Sequence, residues 1–357
     1  MTRAPILFRV DASRAQGWEN LCRCLVYAAA LQRRRRPAHF LSQLEPLTLA
    51  PSVKKGGNEW IAAAGPAGTE ADLAQTIQQI RRIRPEAVVV DAPDVQEEYL
   101  RELRGQGVAV ISMDSLGSTA FPSQLVVNPL LGPGREGYTH DRRTQLLLGA
   151  RYAIVRPEVR RVRPLRSQEP IQPFRVLVAL GDDDLNNQSG DLAKVLLNTP
   201  RVGRVDILTR PFNPNREALE ALAATCPDRL EVVWEANEIP LRLSRGHLAL
   251  TAGNNWSLEL ACVGIPQLVV VQSETHWPTA HRLEEEGAAT CLGWHENVSA
   301  GTIRAAVSSI LGEPQERQLM ARAGRKLVDG RGPDRLVTAL EIVLRRMQGV
   351  MAPAMAA

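Results

Sequence analysis

Continuous apolar runs that alternate with amphipathic helices constrain the fold of this 357-residue chain more than any other feature. Residues 87–91 (AVVVD), 108–113 (VAVISM) and 175–180 (RVLVAL) are apolar at nearly every position, as strands are when both faces of a sheet are buried. Helical patterns lie between such runs, for example over residues 72–83 and 216–224. Strand and helix in alternation predict parallel, doubly wound, Rossmann-like sheets of the α/β class.

The alternating pattern occurs twice, with an interruption between the two copies. Residues 156–173 contain four prolines and five arginines and show little periodicity, which predicts a linker. We therefore predict an N-terminal domain over residues 1–155, a C-terminal domain over 174–348 and a frayed tail over 349–357. Two doubly wound domains of this kind are expected to enclose a cleft, and ligands of such sheets bind beyond the carboxyl ends of the strands.

Composition predicts a cytoplasmic globular protein. No apolar run approaches the roughly 18 residues of a membrane-spanning helix, and the N-terminus has no signal-peptide cleavage pattern. Five scattered cysteines and six histidines indicate neither a disulfide framework nor a metal site, and no cofactor or nucleic-acid partner is predicted. The net charge of +4 is mild. The arginine-rich residues 33–36 and 156–166 are best explained as a solvated helix end and an exposed linker, although peripheral membrane contact through them stays open, as does the oligomeric state.

The loop after the first strand is one candidate ligand site. Asp11 ends that strand, Gly17 permits a turn, and a helix begins close to Asn20. A helix N-terminus offers free N–H groups and the positive end of the helix dipole, which suit a phosphate or a sugar hydroxyl. An ordinary strand–loop–helix connection capped by Asn20 explains the segment equally well.

The strongest local candidate is the loop that follows residues 248–251. Gly253, Asn254, Asn255 and Ser257 turn the chain into a helix, so that backbone donors would face an anion such as a diphosphate. Glu259, one turn inside the helix, is expected to accept hydrogen bonds from ribose hydroxyls. A capped helix with an exposed glutamate is the alternative, and the binding hypothesis requires that the chain's own side chains leave this helix start open.

Several segments resemble the PseG/SpsG family of UDP-sugar hydrolases, whose PseG members act in pseudaminic-acid synthesis. Residues 146–158 (LLLGARYAIVRPE) resemble the family signature LLGpxYalLRpEF, and residues 8–13 (FRVDAS) resemble its opening FRxDxS. Residues 253–259 (GNNWSLE) resemble the family's aGGsslwE. The resemblance extends over about residues 5–345.

This resemblance implies a GT-B fold related to MurG, with UDP held mainly by the second domain. It implies hydrolysis of a UDP-linked amino-deoxy sugar in surface-glycan metabolism or flagellin glycosylation, with water attacking the anomeric carbon. The catalytic candidates are Asp11, Glu19 and Asn20. The substrate-binding candidates are the residues at strand ends and motif positions, namely Gly17, Arg23, Asp91, Tyr152, Gly181, Asp184, Gly253, Asn254, Asn255, Ser257, Glu259, Glu274 and Thr275.

The chain departs from the family pattern at ligand-facing positions. Asn20 stands where the family has its catalytic histidine, and an amide cannot accept a proton at neutral pH. Glu19 is then the candidate base, unless it only caps the helix or faces solvent. Asp182 replaces a glycine, and Glu274 and Thr275 replace the family's NQ. Two alternatives therefore remain: a GT-B glycosyltransferase that uses a UDP-sugar donor, and a catalytically silent paralogue that binds a sugar nucleotide or a protein partner.

Overall fold

The computed structural model describes residues 3–14, 16–182, 184 and 186–351. Contacts divide the chain into two compact units, with boundaries after Tyr152 and again after Gly330. The residues that follow Gly330 group with the first unit. Positions 183 and 185 of the acidic loop, and the part of the predicted tail from residue 352 onward, lie outside the described residues.

The first unit is built on a seven-stranded sheet with the order β3-β2-β1-β4-β5-β7-β9, in which every pair of neighbours is parallel. A second, two-stranded sheet pairs β6 with β8. The strands are β1 (Ile6–Val10), β2 (Ala38–Ser42), β3 (Glu59–Ala62), β4 (Ala87–Asp91), β5 (Ala109–Met113), β6 (Ala120–Phe121), β7 (Leu125–Asn128), β8 (Thr139–His140) and β9 (Gln145–Leu148). The helices are α1 (Glu19–Gln32), α2 (Ala50–Lys55), α3 (Glu70–Ile83), α4 (Glu97–Gly105) and, from the chain's C-terminal part, α13 (Gly332–Met351).

The second unit is built on a six-stranded parallel sheet with the order β12-β11-β10-β13-β14-β15. Its strands are β10 (Phe174–Ala179), β11 (Val202–Leu208), β12 (Leu230–Val233), β13 (Leu248–Thr251), β14 (Gln267–Val271) and β15 (Thr290–Trp294). Its helices are α5 (Pro157–Arg160), α6 (Ser189–Leu197), α7 (Arg216–Ala224), α8 (Ile239–Arg245), α9 (Asn255–Val263), α10 (Trp277–Glu285), α11 (Ala300–Gly312) and α12 (Pro314–Leu327). The prediction of parallel, doubly wound α/β sheets is thereby confirmed.

The central strands are the apolar runs seen in the sequence. Every residue of β1, β4, β5, β10 and β14 is buried, as expected for strands covered on both faces by helices. Two strands without such a run, β3 and β15, form sheet edges and are only partly buried. Sequence reasoning missed these two edge strands because an edge strand carries no continuous apolar signal.

The last helix belongs to the first unit, so the predicted C-terminal domain over residues 174–348 extends too far. Tyr27 in α1 donates its hydroxyl to Leu336 O at 3.5 Å. Arg36, just beyond α1, donates its Nε to Glu341 in α13 at 2.7 Å. The apolar pattern of α13 identified a helix but carried no information about which sheet it would cover.

The arginine-rich residues 156–166 are not an exposed linker. Arg163 donates its guanidinium to Cys262 O at 2.7 Å and to Val328 O at 2.8 Å. Arg166 is buried and donates to Gly246 O at 2.6 Å. The guanidinium groups of Arg163 and Arg166 thus satisfy carbonyl groups at helix and loop ends of the second unit, and peripheral membrane contact through the basic residues stays a prediction. No helix in the described part of the chain has the length and apolar character needed to cross a membrane.

His247 is a buried histidine of the second unit whose two ring nitrogens both make hydrogen bonds. It is buried against Phe174, and the two rings lie edge to face with centroids 5.2 Å apart. Its Nδ1 accepts a hydrogen bond from the backbone N–H of Arg175 at 3.1 Å, so the proton resides on Nε2, which donates to Pro170 O at 2.9 Å. Burial lowers the pKa of His247 below its ordinary value of 6.5.

We expect the free energy of unfolding to be fully retained above the ordinary histidine pKa and to fall as pH drops below it, because the unfolded chain then binds a proton that folded His247 resists. His247→Asn keeps an acceptor for Arg175 and removes the titrating group, so it should show a shallower fall between about pH 7 and about pH 5. Denaturant unfolding at several pH values measures this slope. His281→Asn, at an exposed position, is the control; identical slopes in wild type and His247→Asn would contradict the assignment.

Candidate functional site

The two sheets reverse their strand order at equivalent places. In the second unit, β10 lies between β11 and β13, so the chain winds one way from β10 to β12 and the other way from β13 to β15. Ligands of open α/β sheets bind at such a reversal, outside the carboxyl ends of the strands. The loop after β10 and the loop after β13 meet there, because Asn254 Nδ2 donates to Leu180 O at 3.0 Å. We therefore take this switch point as the candidate site.

Two backbone amides at the start of α9 are capped by side chains of the same loop. Asn254 Oδ1 accepts from the N–H of Trp256 at 3.1 Å, and Ser257 Oγ accepts from the N–H of Gly253 at 3.0 Å. The N–H of Ser257 donates back to Asn254 O at 3.0 Å. The expectation of an open helix start at these amides is therefore wrong in this structure, because small polar side chains cap them.

Gly253 brings the loop close to the next element. Its φ of +85° lies in the left-handed region, which favours glycine. A Cβ at this position would lie 2.8 Å from His276 O and 3.1 Å from Ala280 Cβ. Gly253 thus allows the β13 loop to pack directly against α10, in addition to permitting the turn that the sequence predicts.

Glu259 forms a buried ion pair with Arg156. It is buried, and Arg156 binds it with both its guanidinium group and its backbone N–H, the latter donating to Oε1 at 2.8 Å. Arg156 Nε lies 2.9 Å from each carboxylate oxygen, and the ion pair raises the pKa of Arg156 against the opposing effect of burial. The predicted ribose ligand is instead one half of a buried ion pair that anchors the chain before α5 to α9.

Trp256 extends this ion pair towards the β10 loop. The Arg156 guanidinium lies over the Trp256 ring at 4.2 Å from its centroid, a favourable cation–π distance. Trp256 Nε1 donates to Asp182 Oδ1 at 2.9 Å, and Arg210 Nε lies 3.4 Å from the same oxygen. A carboxylate paired with Arg210 therefore stands beside the capped start of α9.

Asp184 caps a helix. It is buried, and its two carboxylate oxygens accept from the N–H groups of Gln188 and Ser189 at 3.0 and 2.9 Å. These donors belong to Gln188, the N-cap residue of α6, and to Ser189, its first residue, so Asp184 holds the start of the helix from the preceding loop. Burial raises its pKa. The role of Asp184 as a substrate ligand stays a prediction. Gly181 lies two residues beyond the end of β10.

In the first unit, Asp11 is held by a buried network. Arg9 is fully buried and binds both Asp11 and Asp72. Asp11 also accepts from the N–H of Gln43 at 2.7 Å and of Ala67 at 2.9 Å. With four donors directed at it, Asp11 fixes the loops after β2 and β3 and is engaged as an acceptor before any substrate arrives.

The Arg23 and Asp91 candidates pair with each other. Arg23 Nε donates to Asp91 at 2.7 Å and Nη2 at 2.5 Å, and both residues are buried. This two-point ion pair attaches α1 to the end of β4 and leaves neither charge exposed to a ligand. Glu19 and Asn20, the first two residues of α1, are half-buried and stay at the N-terminal end of that helix.

The remaining candidates occupy the predicted turns. Gly17 has a φ of +77° before α1, and Tyr152 is half-buried at the end of a 3₁₀ turn. Glu274 and Thr275 form a 3₁₀ turn after β14, with Thr275 Oγ1 3.0 Å from Ser273 Oγ. Asn255 is the first residue of α9.

Sequence reasoning missed a polar group on the same sheet edge. Gln188, Gln272 and His295 follow different strands and meet through hydrogen bonds between their side chains, Gln188 Nε2 lying 2.8 Å from His295 Nδ1. Their separation in the sequence gave no sign of this contact. Among the described residues, no group of three or more histidine, cysteine or carboxylate side chains is arranged to hold a metal ion.

The chain was compared with protein families and with individual proteins of known sequence. No family model matches the sequence. The chain is 25% identical over 272 residues to the spore coat polysaccharide biosynthesis protein SpsG of Bacillus subtilis (strain 168), covering 74% of this chain and 79% of that protein.

Solved structures resemble nearly the whole chain. The spinosyn rhamnosyltransferase SpnG is 16% identical with a TM-score of 0.65, covering 94% of this chain and 100% of that one. MurG of Acinetobacter baumannii is 15% identical with a TM-score of 0.65, covering 94% and 99%. At these identities the likeness concerns the fold, and the chain has the two Rossmann-like domains of the GT-B fold.

We expect Glu259→Gln to destabilise the protein by about 3–5 kcal/mol, because it leaves the buried Arg156 guanidinium without a counter-charge. Denaturant unfolding measures the loss. The double variant Arg156→Met/Glu259→Leu should recover much of it, since it removes both charges. A Glu259→Gln protein as stable as wild type would show that Glu259 does not hold the second unit together.

Proposed function

We propose that this protein is a glycosyltransferase that takes a UDP-sugar donor at the β10/β13 switch point of its second unit. The observation that supports this most directly is the meeting of the β10 loop with the capped start of α9, in a fold shared with glycosyltransferases. One of those enzymes, SpnG, has also been solved in complex with thymidine diphosphate. The SpsG relative has a name that places it in polysaccharide biosynthesis.

A diphosphate can replace the caps at the start of α9. Asn254 Oδ1 and Ser257 Oγ each accept one backbone N–H. A phosphate oxygen is also an acceptor, and its negative charge interacts better with the positive end of a helix dipole than a neutral side-chain oxygen does. Binding of a diphosphate therefore replaces the neutral side-chain oxygens by charged phosphate oxygens as acceptors of these N–H groups. It also requires that the negative charge of Asp182 move away or be neutralised.

Transfer needs a base for the acceptor hydroxyl. The acceptor oxygen attacks the anomeric carbon, the bond from that carbon to the diphosphate oxygen breaks, and UDP leaves with the bonding electrons. The hydroxyl proton passes to a carboxylate. Asp11 and Asp91 are buried in ion pairs, and Asn20 cannot accept a proton. Of the catalytic candidates that the family resemblance implies, this leaves Glu19, at the half-buried start of α1, as the carboxylate to test.

Hydrolysis is the second candidate function. The segments over residues 8–13 and 146–158 resemble those of UDP-sugar hydrolases that act on amino-deoxy sugars of surface glycans. In that reaction water takes the place of the acceptor and the other bond changes are the same. Asn20, at the position of the hydrolases' catalytic histidine, makes activation of water less favourable and supports transfer.

Two measurements separate these functions. Calorimetry with UDP and thymidine diphosphate tests the donor site, and UDP-selective binding is expected. UDP release from UDP-N-acetylglucosamine, with and without soluble saccharide acceptors, then tests the reaction. Acceptor-dependent release supports transfer, and release at the same rate in water alone supports hydrolysis. Binding without release would identify a silent sugar-nucleotide-binding protein, and absence of binding would discard the donor site.

Asp182→Asn should tighten UDP binding by about fivefold, corresponding to about 1 kcal/mol, because it removes a negative charge beside the diphosphate position. Asparagine retains an acceptor for Trp256 Nε1, so the loop should keep its conformation. Calorimetry measures the affinity. Asp191→Asn in α6, where the exposed Asp191 pairs with Lys194, is the control. Weaker binding in Asp182→Asn would contradict a repulsive role for this carboxylate.

Glu19→Gln should lower UDP release by about a hundredfold or more, since general-base catalysis contributes about that factor. The dissociation constant of UDP should stay within about twofold of wild type. Glu70→Gln, at the exposed first residue of α3, is the matched control. Unchanged turnover in Glu19→Gln would remove Glu19 from the mechanism without affecting the donor site.

A further inference from the structure

A row of aromatic rings lies at the carboxyl edge of the six-stranded sheet, beside its last strand. Trp294 is the final residue of β15 and pairs in register with Val271, the final residue of β14. Trp277 begins α10, which follows β14. His281 lies one turn further along α10, and His295 follows Trp294 directly. We call these four residues the aromatic row.

The Trp277 ring is nearly parallel to the rings of His281 and Trp294, whereas the His295 ring is tilted by 39° against Trp294. The Trp277 centroid lies 5.0 Å from that of His281 and 6.4 Å from that of Trp294, with interplanar angles of 19° and 20°. Trp294 and His295 are 5.0 Å apart. Near-parallel rings at these separations are laterally offset, so each neighbour leaves part of a ring face uncovered.

The composition of the second unit indicates that these tryptophans are not needed to fill a core. Aromatic residues make up only 4% of the chain. One hydrophobic cluster of this unit is almost wholly aliphatic, with Phe174 as its buried aromatic side chain, and Trp256 is buried elsewhere in the unit. Trp277 and Trp294 are half-buried at a sheet edge. Large aromatic residues that stay partly accessible at strand ends are typical of ligand sites.

Amide side chains border the aromatic row. Gln188 Nε2 lies 2.8 Å from His295 Nδ1, and Gln188 Oε1 accepts from Gln272 Nε2 at 3.2 Å. Asn186 Nδ2 donates to Gln272 Oε1 at 3.0 Å. Each amide both donates and accepts. These amide groups can therefore give up the hydrogen bonds among themselves and form new ones with the hydroxyl groups of a ligand.

We propose that the aromatic row and its amide border bind a pyranose ring. The apolar C–H face of a sugar packs on an indole, while its hydroxyls bond to amide groups. The neutral side chains of Asn186, Gln188 and Gln272 suit an uncharged, hydroxyl-rich ligand better than a phosphate. The other flank of the sheet offers charged groups instead, such as Arg216 over Trp234 and Arg210 beside Asp182.

The pyranose could come from either substrate of the proposed reaction. The row lies on the β14–β15 side of the switch point, so the glycosyl group of a donor bound at β10/β13 is one source. A saccharide acceptor is the other. Binding of a donor's glycosyl group rests on the proposed function, whereas binding of a free saccharide does not.

The test compares wild type with Trp294→Ala by calorimetry, using UDP, UDP-N-acetylglucosamine and chitotriose as separate titrants. Trp294→Ala should leave the UDP dissociation constant within about twofold and weaken at least one sugar-containing titrant by about tenfold. Selective loss of UDP-N-acetylglucosamine identifies the donor sugar, and loss of chitotriose identifies a saccharide acceptor. Trp294→Phe, which keeps an aromatic face, should recover most of the affinity.

Two controls exclude a folding defect. Thermal unfolding should give similar midpoints for wild type and Trp294→Phe, and Trp60→Phe in the first unit should bind all titrants as wild type does. Equal binding of both sugar-containing titrants in wild type and Trp294→Ala would overturn the proposal, as would no sugar-dependent binding in wild type. A loss of UDP affinity in Trp294→Ala would assign the row to the nucleobase. Failure of UDP to bind wild type would count against the donor site alone.

Discussion

Parallel pairing of the central strands is the constraint on which the candidate site depends. Because β10 and β13 run side by side in the same direction, the loops that leave them must emerge at one edge of the sheet. Hydrogen bonds from Asn254 to Leu180 O and from Trp256 to Asp182 then join the loops across the switch point. The same arrangement brings the ends of β14 and β15 to that edge, where Gln272 and Trp294 lie.

Buried ion pairs hold much of this arrangement. Arg156 with Glu259, Arg23 with Asp91, and Arg9 with Asp11 each join an element to a neighbouring strand or loop. A buried charge is costly unless it is paired and hydrogen-bonded, and each of these carboxylates accepts several hydrogen bonds. Carboxylates that looked like ligand groups in the sequence therefore position the loops. The side chains left for recognition are mainly neutral ones at the sheet edge.

The capped start of α9 changes how a nucleotide would bind. An open helix end attracts an anion directly, whereas here Asn254 and Ser257 already satisfy two of the amides and Asp182 adds a negative charge nearby. Under the proposed function, the affinity for a diphosphate depends on how much more strongly its oxygen atoms accept these hydrogen bonds than the side-chain oxygens of Asn254 and Ser257 do.

The sequence by itself determined the parallel α/β class and the two successive doubly wound sheets, because buried central strands are apolar at consecutive residues whatever surrounds them. It also located the turns at Gly17 and Gly253, which need a left-handed backbone. Only the tertiary structure decided that α13 packs on the first unit, that Glu259 pairs with Arg156, and that Gln188 meets His295. These contacts join residues far apart in the chain, and a local pattern carries no information about which distant charge or amide a side chain will reach.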